Sequence, residues 1–117
     1  MNRSVRCAAL LFTLAAGLLC LAAAPEKQQD KAPKVTIDEL KYDPAKLTVK
    51  VGQTVTWTNQ DDHDHTVVSK NAPKELAFES ENLGRGDTFK HTFKQAGKFE
   101  YFCRYHPRMK GLVIVVE

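Results

Sequence analysis

The sequence predicts an all-β domain, an antiparallel β-sandwich, on three observations. From Val35 onward apolar residues alternate with polar ones at period two, as half-buried strands require. Gly, Pro and Asn interrupt those runs at regular spacing, the rhythm of short strands joined by turns. Helical periodicity never lasts beyond a turn or two, and Lys74–Phe78 is its one weak candidate.

A different kind of segment stands ahead of that domain. Arg3 and Arg6 open it, an uncharged apolar run from Cys7 to Ala24 follows, and the small residues Ala22 to Ala24 precede charged sequence. This is the build of a secretory signal peptide over residues 1–24, which places the mature protein in the periplasm with no membrane span left after cleavage. The apolar run is near the lower limit for crossing a bilayer, so a retained anchor is the rival reading. Lipidation at Cys20 stays open, although the Leu just before it is a poor match to that cleavage box. Residues 25–34, charged and carrying Pro25 and Pro33, read as a flexible tail, and 35–117 as one domain.

Each strand then has its own pattern. Val35 and Ile37 are out of phase with Leu40 and Tyr42, and a bulge near Asp38-Glu39 would restore the phase. Leu47, Val49 and Val51 share a parity, as do Val55, Trp57 and Asn59, and Gly52-Gln53 between them is a turn of hairpin type. Phe89, His91 and Phe93 alternate in the same way, as do Phe99, Tyr101 and Cys103, with Gln95-Ala96-Gly97 as the turn. Leu112 to Val116 is apolar on both parities and predicts a strand covered on both faces.

Charge and cysteine content narrow the function. Of 17 Lys and Arg, Arg3 and Arg6 leave with the signal, so 15 face 14 Asp and Glu. So small an excess argues against a nucleic-acid binder. About 90 residues make one small domain, read here as a monomer. Cys7 and Cys20 fall inside the signal, which leaves Cys103 alone in the exported protein. An unpaired thiol in an oxidising compartment is a liability unless something occupies it.

The stretch YFCRYHPRMKG, Tyr101–Gly111, shows what could. Cys103, His106 and Met109 follow a C-x-x-H-x-x-M spacing on a short loop between two strands. A fourth donor must come from elsewhere, and NQDDHDHTVV, Asn59–Val68, supplies His65 at the mouth of a strand. Zinc seldom takes a thioether and hard cations take oxygen, whereas two His, one Cys and a weak axial Met select copper of the blue, type 1 kind. Such a site transfers single electrons. His63 also competes for the first ligand position, because HDH resembles the ligand pairs of multicopper oxidases; the Thr-Val-Val strand after His65 favours His65, with His63 facing solvent. His91 reads as a packed strand histidine and Trp57 as core.

These stretches together resemble the cupredoxin family of blue copper proteins, and within it the amicyanin- and plastocyanin-like members. The resemblance rests on YDPAKLTVKVGQTVTWTN, DHDHTVV, GRGDTFKHTF and QAGKFEYFCRYHPRMKGLVIVV, nearly all of the chain from Tyr42 onward. It implies a Greek-key sandwich, one copper ion held by His65, Cys103, His106 and Met109, and an electron route through the edge of His106. Two departures stand out. Many members place Asn after the first ligand His, where this chain has Thr66, whose hydroxyl and N–H remain available to brace the Cys103 sulfur. Asp61, Asp62 and Asp64 crowd the same ligand and would stabilise Cu(II), lowering the reduction potential.

Arg104, Arg108 and Lys110 give the ligand loop a positive cluster, which reads equally as a solvated loop or as a docking surface for acidic redox partner proteins. The reading is therefore a periplasmic electron carrier and not an enzyme, since no open coordination position or acid–base pair is evident. Copper storage or delivery is the alternative, though the Met-rich or His-rich tracts that would favour it are absent.

Overall fold

A computed structural model describes residues 32–117, so the signal peptide and most of the expected tail lie outside the described residues. Among the described residues there are eight strands: β1 Lys34–Asp38, β2 Lys41–Asp43, β3 Lys46–Lys50, β4 Thr54–Asn59, β5 Val68–Ser69, β6 Thr88–Thr92, β7 Gly97–Phe102 and β8 Lys110–Val116. They form two four-stranded sheets, ordered β2-β1-β4-β6 and β3-β8-β7-β5. Both orders are non-consecutive, so the chain crosses repeatedly from one sheet to the other, as the Greek-key expectation requires. The weak helical candidate is a single 3-10 turn, Lys74–Leu76.

The sandwich is mixed in strand direction. β1 runs parallel to β4 and β3 parallel to β8, while the remaining pairs are antiparallel. Side-chain alternation has the same period in both directions, so the sequence pattern carries no information on this point. The Gly52-Gln53 turn is likewise not a hairpin: β3 and β4 belong to different sheets, and Gly52, at φ 95°, turns the chain from one to the other. Its N–H donates to the carbonyl of Phe93, the residue just after β6, at 2.7 Å.

The phase break in the first strand is a hairpin and not a bulge. Glu39 and Leu40 both take positive φ (52° and 61°), and Asp38 pairs with Lys41 across this two-residue turn. Primed turns of that kind match the twist of paired strands, although Leu is an unusual occupant of the left-handed region. β8 also differs from expectation. Gly111, Val113 and Val115 are buried, but Leu112 and Ile114 on the outer face are only half-buried. Lys46, Glu100, Thr48 and Lys98 flank those two residues across the sheet, and long polar side chains shield apolar neighbours with their stems.

Between the sheets lies one core. Val35, Ile37, Val55, Trp57, Val67, Tyr101 and Val113 are essentially inaccessible. Trp57 sits at its centre, 5.6 Å from the ring of Phe89 and edge-on to Tyr101 at 5.4 Å. Tyr101 in turn lies across Gly111, its cross-strand partner, where a Cβ would overlap the phenol ring. β7 is thereby clamped just before it delivers Cys103.

Candidate metal centre

Two loops meet at one end of the sandwich. The first is the bend between β7 and β8, which pair as far as Phe102 and Lys110 and so pin both ends of Cys103–Met109. Within it the Cys103 N–H donates to the Met109 carbonyl at 3.1 Å, and the Met109 N–H to the His106 carbonyl at 2.8 Å. The second loop follows β4 and brings in His65. Its N–H and carbonyl exchange hydrogen bonds with Leu83, at 3.0 and 2.8 Å, in an isolated antiparallel bridge.

Buried Asn59, the last residue of β4, holds this second loop from inside. Its Nδ2 donates to the carbonyls of His63 and Leu83, both at 2.8 Å, and its Oδ1 accepts from the Asp61 N–H at 2.8 Å. A fully hydrogen-bonded buried amide is a rigid organiser, because any other loop arrangement would strand its polar atoms.

The consequence is convergence of donor atoms. Cys103 Sγ lies 3.7 Å from His65 Nδ1 and 3.6 Å from His106 Nδ1, and the three donors all fall within 4.8 Å of one another. A nitrogen and a sulfur bound at about 2.0 and 2.3 Å to one ion, roughly 110 to 120° apart, stand about 3.5 to 3.7 Å from each other. The residues present thus fit a shared metal ion. His65 and Cys103 are wholly buried, Met109 is buried in the same bend, and His106 is half-buried. Burial keeps water from the donors, and only the His106 edge reaches the surface.

The surroundings prepare each donor. Asp61 Oδ2 accepts from His65 Nε2 at 3.0 Å, which puts the ring proton on Nε2 and leaves the Nδ1 lone pair facing the sulfur. The same oxygen accepts from the Leu40 N–H at 2.9 Å, so the hairpin turn of β1–β2 anchors the carboxylate. That backbone bond first, and the His65 contact second, hold the Asp61 carboxyl at about 2, below the usual carboxylate range. Thr66 donates its N–H to Cys103 Sγ at 3.5 Å, and its hydroxyl both faces that sulfur at 3.9 Å and accepts from the Arg104 N–H at 2.8 Å. The expected replacement brace is therefore present. Tyr42 donates its hydroxyl to the Thr66 carbonyl at 2.7 Å; burial foremost pushes its phenol well above the ordinary range.

Other expectations sort out by position. His63 is exposed on the loop, as expected. His91 is half-buried on β6, its ring 4.5 Å from Phe78 and 4.8 Å from Phe93, and burial lowers its pKa. Of the three acidic neighbours only Asp61 touches the ligand; Asp62 pairs with Arg85, and Asp64 accepts from the Asn82 amide at 2.8 Å. The basic cluster is smaller than the sequence implies, because the Arg104 guanidinium is paired with Glu79.

Three organising residues escaped the sequence reading. Asn59 carried a usable signal, a polar residue on the buried parity at the end of a strand. Asp61 was visible only as one acid among three. Leu83 had no local signal, since its bridge to His65 joins two loops.

A β-sandwich with a buried Cys-His-His cluster at its end defines a class of metal-binding sandwich proteins, and comparison with known proteins gives the family. The Cupredoxin-like domain family matches residues 10–115, and this chain belongs to it. Amicyanin of Paracoccus versutus is 39% identical over 82 residues, covering 69% of this chain and 62% of that protein. Amicyanin-alpha of Methylorubrum extorquens is 32% identical over 117 residues, covering 97% and 98%. The chain thus spans less than two thirds of the first relative and nearly all of the second. A solved Cu(I) form of an amicyanin variant superposes with a TM-score of 0.68 at 37% identity, over 74% of this chain and 83% of that one.

Proposed function

We propose that the mature domain, residues 35–117, is a periplasmic type 1 copper protein that carries single electrons between redox partner proteins, released from its 1–24 signal as a monomer. Bound copper supplies the one-electron couple, Cu(II)/Cu(I). Cys103 would offer the thiolate, His65 and His106 the two imidazoles, and Met109 the weakly bound thioether that suits such a site. The observation that carries this reading is the spacing of Cys103 Sγ to the two Nδ1 atoms, 3.7 and 3.6 Å, already that of ligands to one ion.

The chain's own contribution is rigidity. Donors held by the Leu83 bridge, the Asn59 amide, the Asp61 carboxylate and the Thr66 brace move little when charge arrives or leaves, and small reorganisation makes transfer fast. The half-buried His106 opens onto a largely apolar cleft lined by Leu40, Tyr105, Pro107, Arg108 and Met109. A partner seated there reaches the metal through one imidazole. Arg108 and Lys110, without the neutralised Arg104, favour an acidic partner surface, and the association rate should fall as salt rises.

Absorption spectroscopy of copper-loaded protein tests the assignment. An intense blue thiolate-to-copper band that disappears in Cys103→Ser is the expected result. A pale complex would favour copper storage or delivery and overturn the carrier reading.

A further inference from the structure

The His63 imidazole has no part in the site just described, yet it stands beside it. Its ring centre lies 6.4 Å from that of His106, inclined at 66°, and His106 is 4.9 Å from His65. The three imidazoles are graded in exposure, from exposed His63 through half-buried His106 to fully buried His65. We propose that His63 and the outward edge of His106 form a second, surface metal site that captures copper ions from solvent before the ion passes to the buried donors. The proposal rests on the copper reading above and adds a route of loading to it.

The geometry supports such a pair. His106 turns Nδ1 toward Cys103 Sγ, so Nε2 lies on the opposite edge of the ring, where the side chain meets solvent. Two imidazoles sharing an ion at metal–nitrogen bonds of about 2 Å place their ring centres about 5 to 6 Å apart. The observed separation is close to that, and an exposed side chain re-orients on the picosecond to nanosecond scale. The backbone of His63 does not drift, because its carbonyl accepts from buried Asn59.

Charge and coordination chemistry agree with this placement. His63 lies between Asp62 and Asp64, and Asp64 is bonded to a neutral amide, so its charge remains to attract cations. Imidazole binds both copper oxidation states, whereas a buried thiolate behind a closed core is slow to reach. With the ion on Nε2 the His106 ring proton sits on Nδ1; as the ion moves inward to Nδ1 that proton passes through solvent to Nε2, and the shared ring spares the ion a return to bulk water.

Copper-free protein mixed with a Cu(II) salt in a stopped-flow instrument gives the first test. His63→Ala should develop the blue band several-fold more slowly than the parent, with unchanged final intensity and reduction potential. Equal rates would overturn the proposal. The second arm titrates Zn(II), in mildly alkaline buffer, into the Cu(I)-loaded protein, whose buried donors are already occupied; zinc takes the place of the His106 Nε2 proton, which passes to buffer, and the histidine resonances are followed by NMR. One equivalent should perturb His63 and His106 together, and the effect should vanish in His63→Ala. Zinc that perturbs neither ring would also overturn it. A parent protein that binds copper without a blue band would sink the type 1 assignment instead, and the zinc arm would still decide the surface site.

Discussion

Thr66 and Cys103 are joined twice, by the Thr66 N–H on Sγ at 3.5 Å and by the Thr66 hydroxyl facing Sγ at 3.9 Å. That hydroxyl also accepts from the Arg104 N–H at 2.8 Å, so one small side chain fastens the His65 loop to the Cys103 loop. Thr66→Val keeps the shape and removes the oxygen, which leaves the Arg104 N–H without its acceptor. The copper-free protein should lose about 1–3 kcal/mol, read from denaturant midpoints. Thr66→Ser should retain most of the stability. A Val variant as stable as the parent would remove the brace.

Asp61 should influence the reduction potential more than its two neighbours. Its carboxylate contacts His65 directly, whereas Asp62 is neutralised by Arg85 and Asp64 stands on an amide at the surface. Anionic charge favours Cu(II), so Asp61→Asn should raise the potential by tens of millivolts, with smaller increments from the other two positions. Voltammetry of the single and triple Asn variants makes the comparison. A potential unchanged or lowered in the triple variant would contradict the electrostatic argument.

The same carboxylate predicts an acid limb in stability. Its folded pKa is lowered to about 2, against an unfolded value of about 3.9. The group therefore adds stability at pH above the unfolded value and loses that contribution as pH falls from about 4 toward 2. Melting temperatures of copper-free protein across that window should decline more steeply for the parent than for Asp61→Asn. Parallel curves would show that the Leu40 and His65 contacts do not persist in solution.

Gly111 is constrained by space. The Tyr101 ring occupies the place a Cβ would take, and Gly111 lies on β8 at the centre of its sheet. Gly111→Ala must displace the ring or bend the strand, costing about 1–3 kcal/mol by overpacking. Since Tyr101 leads directly to Cys103, the blue band should also broaden or shift. Gly111→Ala with parental stability and spectrum would mean that the ring moves aside freely.

Much of the site was legible because its chemistry is local. Cys103, His106 and Met109 share one loop, so their spacing survives in the linear sequence, and the strands that pin that loop announce themselves by alternation. His65 was separable from His63 only because a strand follows it. The brace offered by Thr66 could be anticipated from its place after His65, but its partner Arg104 could not, as that contact spans 38 residues. Strand direction, the crossing at Gly52 and the hairpin at Glu39-Leu40 were misjudged or unseen for a related reason. Turn residues and alternation describe single strands, whereas pairing depends on which edges are free once all strands compete for the core.

The sequence by itself thus determined the strand-rich class and the donor types, since side-chain period and ligand softness are properties of short segments. Tertiary structure alone decided which carboxylate meets His65, which cation is cancelled, and which imidazole is left at the surface. Those outcomes depend on distances between loops remote in the chain, and Coulomb and hydrogen-bond energies depend on distance through space.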